Sequence, residues 1–405
     1  MKKVVCVLIA CLFTQVYFLN VSAHNTNYVE DIINTINEEM ISNYIYTLQN
    51  FGPRITATPS CQQAGQYIYE ELYEMGYETR FLPWENSGYS DRNIEAILPG
   101  ERNDSVIICA HYDSVPTSPG ADDNGSGTAA VLAAAKAISE YKDRIQLTYT
   151  IRFITFSGEE EGLLGSYSYA SNAHNNNAQI VAVLNADMIG YARSDMGKNR
   201  VKIYDDENSA WITNISIDVA KMYEEYIGLN IARRDAGANS DHWPFLAYGY
   251  DAVFFHEYEF NDYYHTSNDT ADKIDFNYAT RVTRLIVATL IHLANLEITD
   301  TEPPSVRIDK PKEGYLYIAD REIIRVGKTI IIGKTTIEVN AVDDKTGINR
   351  VEIYIDGHLK ATLFSHPYKF IWDEFAIFTH KIKVVAYDNA ENSNYNEFNV
   401  IVFNA

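Results

Sequence analysis

The 405-residue chain predicts an α/β domain with a mixed, largely parallel central sheet and helices on both faces, followed by an all-β sandwich. Three observations carry this. Short apolar runs alternate with stretches of helical apolar spacing as far as residue 297. Clusters of acids and histidines follow those runs, where open α/β sheets bind their ligands. After Pro303-Pro304 the pattern changes to strand alternation.

The N-terminus, "MKKVVCVLIACLFTQVYFLNVSAHN", has a basic start, an apolar stretch and a small-x-small site at Val21-Ser22-Ala23. It reads as residues 1–23 of a secretory signal cleaved near Ala23. Gln15 and Asn20 interrupt it, so no integral membrane span is expected after cleavage. Cys6 and Cys11 leave with the signal. Cys61 and Cys109 remain, and Cys109, in an apolar run, is expected to be a buried free thiol.

Residues 28–50 and 60–76 have helical spacing, with Gly76 closing the second helix. The predicted strands are Ile94–Leu98, Val106–Ala110, Tyr149–Phe156, Ile180–Leu184 and Ala252–Phe255. Helical patterns fall at 126–142, 162–173, 208–226 and 276–297. Buried parallel strands read as continuous apolar runs of this kind. The composition shift at "ITDTEPPSVRIDKPKEG" divides a domain at 24–300 from a module at 301–405. The latter holds "TTIEVNAVDD", "NRVEIYIDGHLKATLF" and "HKIKVVAYDNAENS", with Asp356-Gly357 as a hairpin turn, and reads as an antiparallel sandwich. A net charge of −22 argues against nucleic acid or an anionic membrane as partner.

The chemistry lies at the strand ends. His111 ends one strand, Asp113 follows, and Asp122-Asp123 comes after a Pro-Gly loop. Glu159-Glu160-Glu161 ends the next, Asp187 in "LNADMIGY" another, and His265 lies in "YYHTSNDT". Two histidines and three carboxylates suit zinc, and five ligands exceed one tetrahedral ion. A carboxylate shared by two ions would account for the number and offset the repulsion among the acids.

The series H-x-D, "PGADDNGSG", "EEEGLLGS", "LNADMIGY", "YHT" resembles the secreted two-zinc aminopeptidases, a family that includes glutamate carboxypeptidase and glutaminyl cyclase, over residues 28–297. The resemblance implies a zinc exopeptidase fold and two Zn2+ per chain. His111 and Asp187 would complete one site, Glu160 and His265 the other, and Asp123 would bridge them, followed by a cis peptide to Asn124. It further implies Asp113 as the carboxylate that orients His111, and Tyr264 as an aid to the oxyanion. Glu159 matches the family's general base. Independently of that match, a metal-activated water needs a carboxylate that is not itself a ligand to carry its proton. Glu161 departs from the usual apolar residue and reads as solvent-facing or as favouring the N-terminal dipole of a helix opening at Gly162. "NSDHWPF" also resembles a family segment, which implies that Asp241 and His242 line or support the site.

The activity so implied is removal of the N-terminal residue from peptides with a free N-terminus. The alternatives are carboxypeptidase action on acidic peptides, for which no obvious basic cluster marks a pocket although Arg233-Arg234 keeps the option open, and one-zinc glutaminyl cyclisation. The C-terminal module resembles immunoglobulin-like modules of exported microbial hydrolases. It reads either as a contact to a surface or polymer or as a passive stabiliser.

Overall fold

The structure, a computed structural model, describes residues 25–237, 239–295, 302–343 and 345–404. The expected signal segment and its cleavage site lie outside these.

The first unit runs α1 (Asn25–Thr35), α2 (Glu38–Asn50), α3 (Pro59–Glu74), β1 (Glu78–Asn86), β2 (Tyr89–Leu98), β3 (Arg102–His111), α4 (Gly125–Ser139), β4 (Tyr149–Phe156) and α5 (Leu164–Asn175). It continues with β5 (Ile180–Ala186), α6 (Asp195–Lys198), β6 (Arg200–Asp205), α7 (Ala210–Met222), α8 (Glu224–Ile227), β7 (Asn230–Asp235), α9 (His242–Ala247), β8 (Ala252–Glu257) and α10 (Phe276–Ala294). The expected helix over 28–50 is two helices. Asn37 accepts the Met40 amide as N-cap of α2, a role its short amide side chain fills better than a helix interior.

The eight strands form one sheet in the order β1-β2-β4-β3-β5-β8-β6-β7. Its centre, β4-β3-β5-β8, is parallel; β1 and β2 meet their neighbours antiparallel, and β6 meets β8 antiparallel but β7 parallel. The strand period of two sorts β3 between the faces. Val106, Ile108 and Ala110 pack under α2, α4 and α10, while Ile107 and Cys109 pack under α5 and α9. The consequence for function is that β3, β4, β5 and β8, side by side and parallel, deliver their carboxyl ends to one place.

The second unit comprises β9 (Ser305–Lys310), β10 (Tyr315–Ile318), β11 (Arg321–Arg325), β12 (Thr329–Ile332), β13 (Thr335–Val342), β14 (Ile348–Ile355), β15 (His358–Leu363), β16 (Tyr368–Trp372), β17 (Ala376–Asp388) and β18 (Ser393–Asn404). A sheet of β16-β13-β9 faces one of β11-β10-β12-β18-β17-β14-β15, around Ile337, Val351, Ile353, Ile382, Val384 and Val400. The sandwich is not purely antiparallel, since β12 pairs parallel with both β10 and β18. The units touch where the Gly249 carbonyl accepts the His366 amide at 3.1 Å, and where Gly347 lies against the Trp211 indole and the Asp251 carboxylate. Cys61 and Cys109 are both buried and free. Among the described residues no helix is long and apolar enough to cross a membrane.

Candidate metal centre

His111 is the last residue of β3 and is 1% exposed. Its Nε2 lies 3.4 Å from Asp123 Oδ1 and 3.4 Å from Asp187 Oδ1. His265, on the loop after β8, brings its Nε2 to 3.1 Å from the other Asp123 oxygen, Oδ2, and 3.1 Å from Glu160 Oε2. The two triads therefore share Asp123 through opposite oxygens. Glu159 is set back, with Oε2 4.0 Å from His111 Nε2. All five expected ligands and the expected base converge on one cluster, and the Asp123–Asn124 peptide is cis.

Local structure explains how. After β4 the chain leaves strand geometry at Ser157-Gly158, and Gly158 takes φ +75°, which a side chain would disfavour. The turn lets two consecutive residues, which a strand would point apart, face one cavity. Asp113 pins it: Oδ1 and Oδ2 accept the Glu159 and Glu160 amides at 3.3 and 3.2 Å, and Oδ2 also accepts the Thr56 hydroxyl at 2.9 Å. Oδ1 stands 3.5 Å from His111 Nδ1. The helix opens at Leu164, not Gly162, so Glu161 sits in the turn and hydrogen-bonds Tyr89 rather than favouring a helix dipole.

The Asp122-Asp123 loop is held by residues that no short motif announces. Asp269 accepts the amides of Asp122 and Asp123 at 2.9 and 3.2 Å. Arg54, fully buried, donates to the carbonyls of Tyr112, Pro119 and Gly120 at 2.6, 2.6 and 2.8 Å. Ser240 donates to Asp187 Oδ2 at 2.6 Å, which leaves Oδ1 toward His111. Asp241 and His242 are both fully buried. Asp241 is pushed up to about 7, first by burial, in the field of Asp113 and Asp187. His242 is lowered to about 4 by burial and stacks on Phe254. Tyr264 stacks on His265 with centroids 3.7 Å apart, and burial followed by Asp123 and Glu160 raises its phenol. Arg233, on β7, is paired with Asp205.

This is a cluster that protein groups alone leave uncompensated. Burial pushes Glu159 well up and Glu160 to about 8. Asp123 goes down instead, because the facing His111 and His265 imidazoles together outweigh its burial. Asp123 Oδ2, Glu160 Oε1, Asp187 Oδ1 and His265 Nε2 are buried without a hydrogen-bond partner. Buried polar atoms are rarely left so. Oxygen and imidazole donors in two triads fit divalent cations.

An α/β sheet that gathers these donors at adjacent parallel strand ends defines a candidate two-metal centre. Residues 93–290 match the model of peptidase family M28, and residues 304–395 match a bacterial Ig domain. Over that first segment the chain is similar to peptidase family M28, and it is a peptide hydrolase. Leucine aminopeptidase 1 of Ajellomyces capsulatus is 27% identical over 291 residues, 67% of this chain and 74% of that protein. In structure the chain is similar to BSAP, a zinc aminopeptidase from Bacillus subtilis, with TM-score 0.57 and 18% identity over 65% of this chain and 97% of that one. It is also similar to glutaminyl cyclase of Porphyromonas gingivalis, with TM-score 0.54 and 22% identity over 63% and 98%.

Proposed function

We propose that the chain is an exported aminopeptidase that holds two zinc ions and removes the N-terminal residue of peptides. The observation that carries this is the division of Asp123, Oδ1 toward His111 and Oδ2 toward His265. It supports His111, Asp123 and Asp187 as ligands of one ion, and Asp123, Glu160 and His265 as ligands of the other. Zinc at these triads would polarise the scissile carbonyl and make water acidic enough to attack.

The chain's own groups do the rest. Glu159, beside the triads but set back from them, takes the water's proton and delivers it to the leaving amine. Asp113 fixes Glu159 and Glu160 by their amides. Tyr264, stacked on His265 and partly exposed, offers a hydroxyl to the developing oxyanion. The carboxylates of the centre form ion pairs only with His111 and His265 among the described residues, and this acidic lining favours a substrate's free α-ammonium. It disfavours a carboxypeptidase reading, which needs a free basic group. The paired triads likewise favour peptide hydrolysis over one-zinc cyclisation.

The test compares leucine p-nitroanilide with its N-acetylated form and counts metal. Hydrolysis of the free-amine substrate alone, with two zinc ions per chain, is expected. Equal hydrolysis of the acetylated substrate, or full activity with one ion, contradicts the proposal.

A further inference from the structure

The C-terminal sandwich has one end against the peptidase unit and one end free. Asn389, just beyond β17, donates to the Thr346 carbonyl, and the adjacent Gly347 lies on Trp211 and Asp251. β17 then runs 13 residues back to Ala376, about 40 Å at strand rise. At that far end Phe375 and Phe378 are 72% and 69% exposed. Phe378 takes φ +75°, uncommon for a bulky residue.

The same end continues into a flat apolar face. Ile318 pairs with Ile332, Ile332 with Phe403, and Phe403 with Ile377, so these four form one row across β10, β12, β18 and β17. All four are exposed, while their inward neighbours Tyr317, Ile331 and Val402 are buried. A second row, Ile324, Leu316, Ile330 and Ile401, lies two residues along on the same face. A contiguous apolar surface of this kind marks a contact site.

Charge says what covers it. Every residue from 321 to 328 is exposed, and neither Arg321, Arg325 and Lys328 nor the nearby Lys334 forms an ion pair among the described residues. The acids beside them, Asp320 and Glu322, are occupied by Lys310 and Lys312. Residues 302–404 hold 13 Lys and Arg against 15 Asp and Glu, so the acidity of the chain belongs to the peptidase unit. The whole-chain charge, read from sequence as arguing against an anionic membrane, does not describe this end. The exposed groups are aliphatic and phenyl, without the amide and indole donors that would bind sugar hydroxyls.

We propose that this distal end is a docking surface for an anionic lipid bilayer, with Phe375, Phe378 and the Ile318–Ile332–Phe403–Ile377 row entering the interface and the four unpaired cations meeting lipid phosphates. The peptidase unit is then held away from the membrane.

Flotation of the full chain with phosphatidylcholine vesicles, with and without phosphatidylserine, tests it. Wild type should bind the anionic vesicles at least tenfold better, and weaken in high salt. Replacing Arg321 and Lys334 by Gln should cost about fivefold per cation removed. The Phe375→Ser/Phe378→Ser double variant should lose binding while retaining peptide hydrolysis, which shows it folded. Equal binding to both vesicles, or binding unchanged in these variants, overturns the proposal. So does sedimentation showing a dimer that Phe403→Ser dissolves, because a second copy would then cover the face.

Discussion

At the scale of single residues, Asp113 ties the centre together. It accepts from Thr56 and from the amides of Glu159 and Glu160, and it faces the His111 imidazole, so one carboxylate orients groups from both triads. Asp113→Asn keeps the volume but replaces an acceptor oxygen by a donor that opposes those amides. Metal affinity should fall by about 10- to 100-fold in chelator competition. Arg54 is the structural counterpart. Arg54→Met removes three donors from buried carbonyls and should destabilise by about 3 kcal/mol or more, read as a lower denaturant midpoint at unchanged slope. The candidate ligands were legible in the sequence because His111, Glu160 and Asp187 stand at the ends of apolar runs that topology brings together, while Asp123 and His265 stand in loops marked by their local motifs. Arg54, Thr56, Ser240 and Asp269 were not, because they act across large separations through single hydrogen bonds and stand in no recognisable spacing.

Among the elements, the junction of β5 with α4 sets the distance between Asp187 and Asp123. Gly127 lies in the first turn of α4, where an added Cβ would overlap the Ala186 carbonyl and the Asn124 side chain. Gly127→Ala should therefore push the helix off the strand and lower metal occupancy more than global stability, measured by metal content and thermal melting of the same sample. The central strands were legible as continuous apolar runs. β1, β6 and β7 were not: "ETRFLPWEN", "RVKIYD" and "NIARRD" lie toward the edges of the sheet, where polar side chains meet solvent and the apolar signal is diluted. The break between α1 and α2 was hidden because the apolar spacing continues through it and only the Asn37 cap marks it.

For the whole molecule, the contact between the two units carries its own pH signature. Asp251 is pushed up to about 8 by burial, although it accepts the Trp211 indole N–H at 2.7 Å. In the unfolded chain it would titrate near 4. Between about pH 4 and 8 the folded protein thus holds a proton that the unfolded chain releases, so this residue's contribution to stability falls as pH rises through that window. Asp251→Asn should flatten the melting temperature between pH 5 and pH 8 relative to wild type.

The central claim is that adjacent glutamates do different work, Glu160 as a ligand and Glu159 as the carrier of a proton. It is tested most directly by Glu159→Gln, with zinc counted and leucine p-nitroanilide hydrolysis followed on the same preparation. The account predicts two zinc ions per chain with turnover lowered by about 10²- to 10⁴-fold. Turnover near the wild-type value, or loss of metal equal to that of Glu160→Gln, would contradict it.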